Sequence, residues 1–154
     1  MRFDTLAELS NAQDIHAGSC ASTFGYNTGV AVANYHSNWQ SHPTRQQNTG
    51  TGNPVKFSFT LANAVVSSGS PTLTIAIQGA PDNATWSNII TSEVLSAGTL
   101  TSIGGGYLFD LSLPEGPISQ YLQAYYMIGG TGGFSSLQPS CEAVLESIQG
   151  NRVW

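Results

Sequence analysis

The sequence predicts an all-β domain, a sandwich or barrel of short strands. Apolar and polar residues alternate with a period of two in several segments. Clusters of Gly, Pro, Ser, Asn and Asp separate those segments at intervals of roughly ten residues, the spacing of strands and turns in all-β domains. No segment holds a helical period over three turns; SCEAVLESIQ comes nearest, and its alternation fits a strand better.

Taken in order, LAELSNAQDI is a first strand or an arm, within a weakly alternating stretch that runs to residue 29. YHSNWQSHPTRQQNTGTGN, residues 35–53, is a long polar loop, a type that is often functional. In VKFSFTL, Val55, Phe57, Phe59 and Leu61 share one face, and Lys56, Ser58 and Thr60 the other. TLTIAIQ places Leu73, Ile75 and Ile77 together. YLFDLSL groups Tyr107, Phe109, Leu111 and Leu113 and turns Asp110 and Ser112 outward. YLQAYYMI is apolar on both sides and reads as a central strand covered on two faces. SCEAVLE turns Cys141, Ala143 and Leu145 inward and Glu142 and Glu146 outward. The turns between strands are expected at SSGSP 67–71, APDNA 80–84, SAGT 96–99, IGGG 103–106, PEGP 114–117 and GGTGG 129–133. At 154 residues, with no linker and no internal repeat, the chain is a single domain, 1–154.

Charge is scarce. Asp, Glu, Lys and Arg make up 8% of the chain, against about 25% in an ordinary soluble domain. The surface is therefore polar but largely neutral, which suits equally a protein partly covered in an assembly and a plain extracellular β-domain. The four basic residues, Arg2, Arg45, Lys56 and Arg152, are too scattered to form a phosphate-binding patch, and with a net charge of −5 nucleic acid is not an expected partner. No membrane association is expected either. Asp4 and Glu8 interrupt the apolar run that a signal peptide needs, and the uncharged stretch between Lys56 and Asp82 is too rich in Ser, Thr, Gly, Asn and Pro for a membrane helix. Cys20 and Cys141 would meet only if the terminal strands pair; free or buried thiols are the expectation.

Catalytic patterns are weak throughout. His16, His36 and His42 lack the spacing of a metal site. There is no G-x-S-x-G elbow, and neither glycine cluster is followed by the Lys and helix of a phosphate cradle. No spacing of the nine acids argues for a glycosidase pair. Pro81-Asp82-Asn83-Ala84 fits a reverse turn, and the Asn83-Ala84-Thr85 acceptor matters only in a glycosylating pathway. Trp39, Trp86 and Trp154 suit a sugar-stacking platform, a core or an interface equally. The expectation is no enzyme activity, no metal and no cofactor.

A run of motifs adds to this reading. Phe3-Asp4 and Leu9-Ser10-Asn11-Ala12-Gln13 come first, then Ala21-Ser22-Thr23. A Thr/aliphatic strand, Thr72–Gln78, leads to the Asp82-Asn83 turn. Leu113-Pro114-Glu115-Gly116, Tyr121-Leu122, the glycines of 129–133 and a last strand, Cys141–Glu146, follow in order. The chain thereby resembles the capsid cement (decoration) proteins of short-tailed phages, the Bordetella-phage-type cement protein family. The resemblance implies a jelly-roll-like antiparallel β-sandwich on the exterior of a phage capsid, with the major capsid protein and itself, as dimer or trimer, for partners.

On that reading the contacts fall on the irregular regions, because the sandwich interior is occupied by core. The N-terminal arm contributes Arg2, Phe3, Leu6 and Gln13. The long loop contributes Tyr35, His36, Trp39 and Arg45, aromatic and Arg side chains of the kind enriched at binding hot spots, and Trp154 stands at the end of the chain. An arm of this kind predicts that removal of residues 1–13 leaves the sandwich folded. The competing reading is a carbohydrate-binding β-sandwich of a fibre or tail tip, with Trp39 and Trp86 stacking on sugars.

Overall fold

The structure, a computed structural model, describes residues 8–15, 18–22, 26–27, 55–113, 119 and 121–145. Ten strands and one short helix follow in the order β1 (Glu8–Ser10), β2 (Cys20–Ala21), β3 (Tyr26–Asn27), β4 (Val55–Leu61), β5 (Val66–Ala80), β6 (Ser87–Thr91), β7 (Leu95–Ser96), α1 (Ala97–Ile103), β8 (Gly106–Ser112), β9 (Tyr121–Ser136) and β10 (Pro139–Leu145). All pairings are antiparallel.

They form two sheets packed face to face. Sheet 1 runs β1-β10-β4-β8; sheet 2 runs β2-β9-β5-β6, with β3 also on β9 and β7 also on β5. Along the chain, the path crosses from one sheet to the other after β1, β3, β4, α1, β8 and β9. This interleaved order is that of a jelly roll, as the resemblance implies.

The alternation read from the sequence places the core. Phe57, Phe59 and Leu61 of sheet 1 face Leu73, Ile75, Ile77, Leu122, Ala124 and Tyr126 of sheet 2, all buried. Each such large side chain contributes about 1.5–3 kcal/mol when fully buried. Phe59 meets Phe109 at 5.3 Å between ring centroids and Tyr126 edge-on at 6.5 Å. Two residues from the stretch 8–15 belong to this core. Leu9 and Ile15 are buried, and the backbone N–H groups of Gln13 and Ile15 donate to the carbonyls of Pro139 and Leu137 at 3.1 Å each. Residues 8–13 are thus sheet edge and core, the first strand of the two readings, strand or arm, that the sequence left open.

Two predicted turns are strand interior. SSGSP and GGTGG lie within β5 and β9 and pair with each other, Ser68 with Gly133 through Pro71 with Gly130. Gly130 and Gly132 have φ of 79° and 91°. A Cβ at Gly132 would stand 1.9 Å from the Ser68 carbonyl oxygen, and one at Gly130 would stand 2.3 Å from that of Ser70. The glycines are needed because the two backbones close on each other, not because the chain reverses.

SAGT, also read as a turn, opens α1. The Ser96 hydroxyl accepts from the Thr99 N–H at 3.1 Å, an N-cap, and Gly104 closes the helix at φ 68°. Seven residues are too few to show a period, so only the caps marked this helix. Buried Ala97 and Leu100 add it to the core. A further difference concerns YLQAYYMI. Leu122, Ala124 and Tyr126 are buried, but Tyr121, Gln123, Tyr125 and Met127 are only half-buried, so one face of β9 is core and the other meets solvent.

Candidate interaction surface

Of the contact residues named from the sequence, Gln13 alone falls among the described residues; Arg2, Phe3, Leu6, Tyr35, His36, Trp39, Arg45 and Trp154 lie outside them, as does the loop 35–53. The Gln13 side chain turns into its own fold. Its Nε2 donates to the Ala21 carbonyl at 2.8 Å and to the Cys20 sulfur at 3.5 Å. With its backbone bonded to Pro139 of β10, Gln13 ties sheet 1 to the first strand of sheet 2.

The Asp82 turn is a self-contained cap. Asp82 Oδ1 accepts from the backbone N–H of Ala84 at 2.9 Å and of Thr85 at 2.7 Å, and Oδ2 accepts from the Thr85 hydroxyl at 2.9 Å. These bonds, the Thr85 backbone bond first, hold its carboxyl below the usual carboxylate range. Asn83 supplies the left-handed step, φ 57°. Half-buried Trp86 follows and leads into β6. Cys20 and Cys141 are both free thiols, and burial pushes both up in pKa. Among the described residues no group of three or more His, Cys, Asp and Glu is placed to hold a metal ion.

What the fold does assemble is a pair of unlike outer faces. Each of the four strands of sheet 1 carries one charged residue: Glu8, Lys56, Asp110 and Glu142. Three acids fall in one row across the sheet, because Glu8 pairs with Glu142, Glu142 with Ser58, and Ser58 with Asp110. The six strands of sheet 2 carry no charged residue at all.

The outer face of sheet 2 is built of amides, hydroxyls and aromatic rings. Gln78 stands at its middle. It donates from Nε2 to Asn88 Oδ1 at 2.9 Å and accepts at Oε1 from Gln123 Nε2 at 2.8 Å. The resulting ladder crosses β6, β5 and β9. Tyr125 and Thr91 flank Ala76 in the next row, and Met127 pairs with Thr74 beyond it. The sequence places Tyr121, Gln123, Tyr125 and Met127 on one side of their strand. It does not reveal that Gln78 and Asn88 lie beside them, since register between strands is a long-range property. Among the described residues no helix is long and apolar enough to cross a membrane.

Fold and surface together define a jelly-roll domain with one charge-bearing face and one charge-free face. Residues 27–137, well over half of the chain, match the family model Bbp16. The chain belongs to the Bbp16 family, capsid-associated proteins of Bordetella phage, and is accordingly a phage structural protein associated with the virion. No curated protein matches the sequence.

Proposed function

We propose that this chain is a decoration (cement) protein, which binds the outside of the phage head and bridges neighbouring subunits of the major capsid protein. The family match over residues 27–137 is the observation that carries this reading. The scarcity of charge, 8% of residues, supports it, because a neutral polar surface loses little hydration free energy when covered. The protein acts by binding alone, without catalysis, and associates with itself. A molecule that binds the assembled shell and not its separated subunits stabilises the shell by mass action. Repeated identical contacts across a lattice add through avidity.

The test is binding of the purified chain to heads that lack it. Saturable binding in a fixed ratio to the major capsid protein, with a rise in the temperature at which the heads rupture, is expected. Heads that take up none of the protein refute the proposal. Binding to a glycan that is lost on Trp39→Ala would replace it with the carbohydrate-binding reading.

A further inference from the structure

We infer that the charge-free outer face of sheet 2 is the surface through which two copies of this chain associate, related by a two-fold axis close to Gln78. The inference rests on the self-association in the decoration reading and assigns it a place on the fold.

Charge placement is the first argument. The chain carries a net charge of −5, so copies repel one another at long range. Pairing through sheet 1 would bring together two copies of a sheet whose strands carry three acids, Glu8, Asp110 and Glu142, against a single base, Lys56. Like charges brought together in an interface cost several kcal/mol. Pairing through sheet 2 brings no strand-borne charge into the contact and puts the two acidic faces on opposite outer sides of the pair, as far apart as the sandwiches allow.

Chemistry is the second argument. A two-fold interface must be complementary to itself. A primary amide is, because it has two N–H donors and a carbonyl oxygen with two lone pairs. Gln78 and Gln123 each spend one N–H on the ladder, which fixes their side chains and leaves a second N–H and further lone pairs for a mate. Around them, Tyr125 and Met127 are half-buried and supply the residue types enriched in interface cores.

Sedimentation velocity of the full chain at about 100 μM, a concentration that reveals moderately weak pairs, tests this. A two-copy species is expected. Gln78→Glu places like charges at the axis and should weaken pairing about tenfold or more. Ser58→Glu, on the outer face of sheet 1, should leave pairing as in the parent. Mixing Gln78→Glu with Gln78→Lys should restore the two-copy species, a rescue that a merely misfolded variant cannot show. A single-copy or three-copy parent, pairing unaffected by Gln78→Glu, or pairing abolished by Ser58→Glu overturns the inference. Binding to heads is scored separately. A chain that coats heads but never pairs in solution overturns this inference alone, and one that pairs but never coats heads overturns the decoration reading alone.

Discussion

The hydroxyl of Tyr126, on β9, lies 2.6 Å from the hydroxyl of Ser10, on β1, and the bond joins the two sheets through the core. These are the hydroxyls of two fully buried side chains, and among the described residues no buried side-chain polar atom lacks a partner. Removing one hydroxyl strands the other in an apolar setting. Tyr126→Phe and Ser10→Ala should each therefore destabilise the fold by about 1–3 kcal/mol. The double variant should lose clearly less than the sum, because the second change removes a group already unpaired. Urea unfolding of the four proteins measures this. Strict additivity would show that the bond contributes nothing.

Alkaline conditions should weaken the same region. Burial pushes the Cys141 thiol and the Tyr126 hydroxyl well up, and the Cys20 thiol up less strongly. Above the ordinary thiol pKa, about 8.5, an unfolded Cys141 has lost its proton while the folded one keeps it. The unfolded state then binds fewer protons, so stability is fully present below that pH and falls as pH rises, by up to about 1.4 kcal/mol per pH unit for each such group. Unfolding midpoints between neutral pH and about pH 10 should decline less steeply in Cys141→Ala than in the parent. Equal slopes would mean that Cys141 ionises as readily folded as unfolded.

Much of this fold is legible along the chain, and the reason is local. Alternation in VKFSFTL and TLTIAIQ marks their inward faces, and Phe57, Phe59, Leu73, Ile75 and Ile77 are all core. Turn chemistry at Asp82-Asn83 is complete within four residues, Asp82 to Thr85. What stays hidden depends on partners distant in sequence. Gly130 and Gly132 look like a turn until Ser68 and Ser70 are placed opposite them. The ladder residues Gln78 and Gln123 are 45 positions apart. The segregation of charge is invisible until each strand is assigned to a sheet, although every charged residue is in plain view. Ser96 and Gly104 do announce both ends of α1, and a reading that weighed caps above periodicity would have found it.

Glycines in the β5–β9 ribbon should differ sharply from one another on substitution. Gly132→Ala forces a side chain onto a φ of 91° and into the Ser68 carbonyl. Left-handed backbone alone costs a non-glycine residue about 1–3 kcal/mol, and the collision adds to that. At Gly133 an added Cβ meets nothing within 4 Å. Gly133 is half-buried but has no positive φ, so Gly133→Ala should lie within about 0.5 kcal/mol of the parent, as unstrained changes that meet no neighbour do. Thermal unfolding of the pair decides the point; equal losses would show that the ribbon readjusts and that no glycine there is required by close approach.

Two N-terminal deletions separate the fold from the contact. A chain lacking residues 1–7 keeps β1, Leu9, Ser10 and every bond described for Ala12, Gln13 and Ile15, so it should still fold as the sandwich, which its unfolding transition checks. A chain lacking residues 1–13 loses buried Leu9, leaves Tyr126 without the Ser10 hydroxyl, and strips the edge of β10 of its partner strand. Burial of one Leu contributes about 1.5–3 kcal/mol and the orphaned hydroxyl costs about 1–3 kcal/mol. Domains of this kind have only about 5–15 kcal/mol in all. The longer deletion should therefore melt far below the parent or fail to fold, and a loss of head binding in it would report unfolding rather than a lost contact. Only the shorter deletion tests whether Arg2, Phe3 and Leu6 touch the shell: reduced decoration by a fully folded 1–7 deletion assigns them that role, and unchanged decoration removes it.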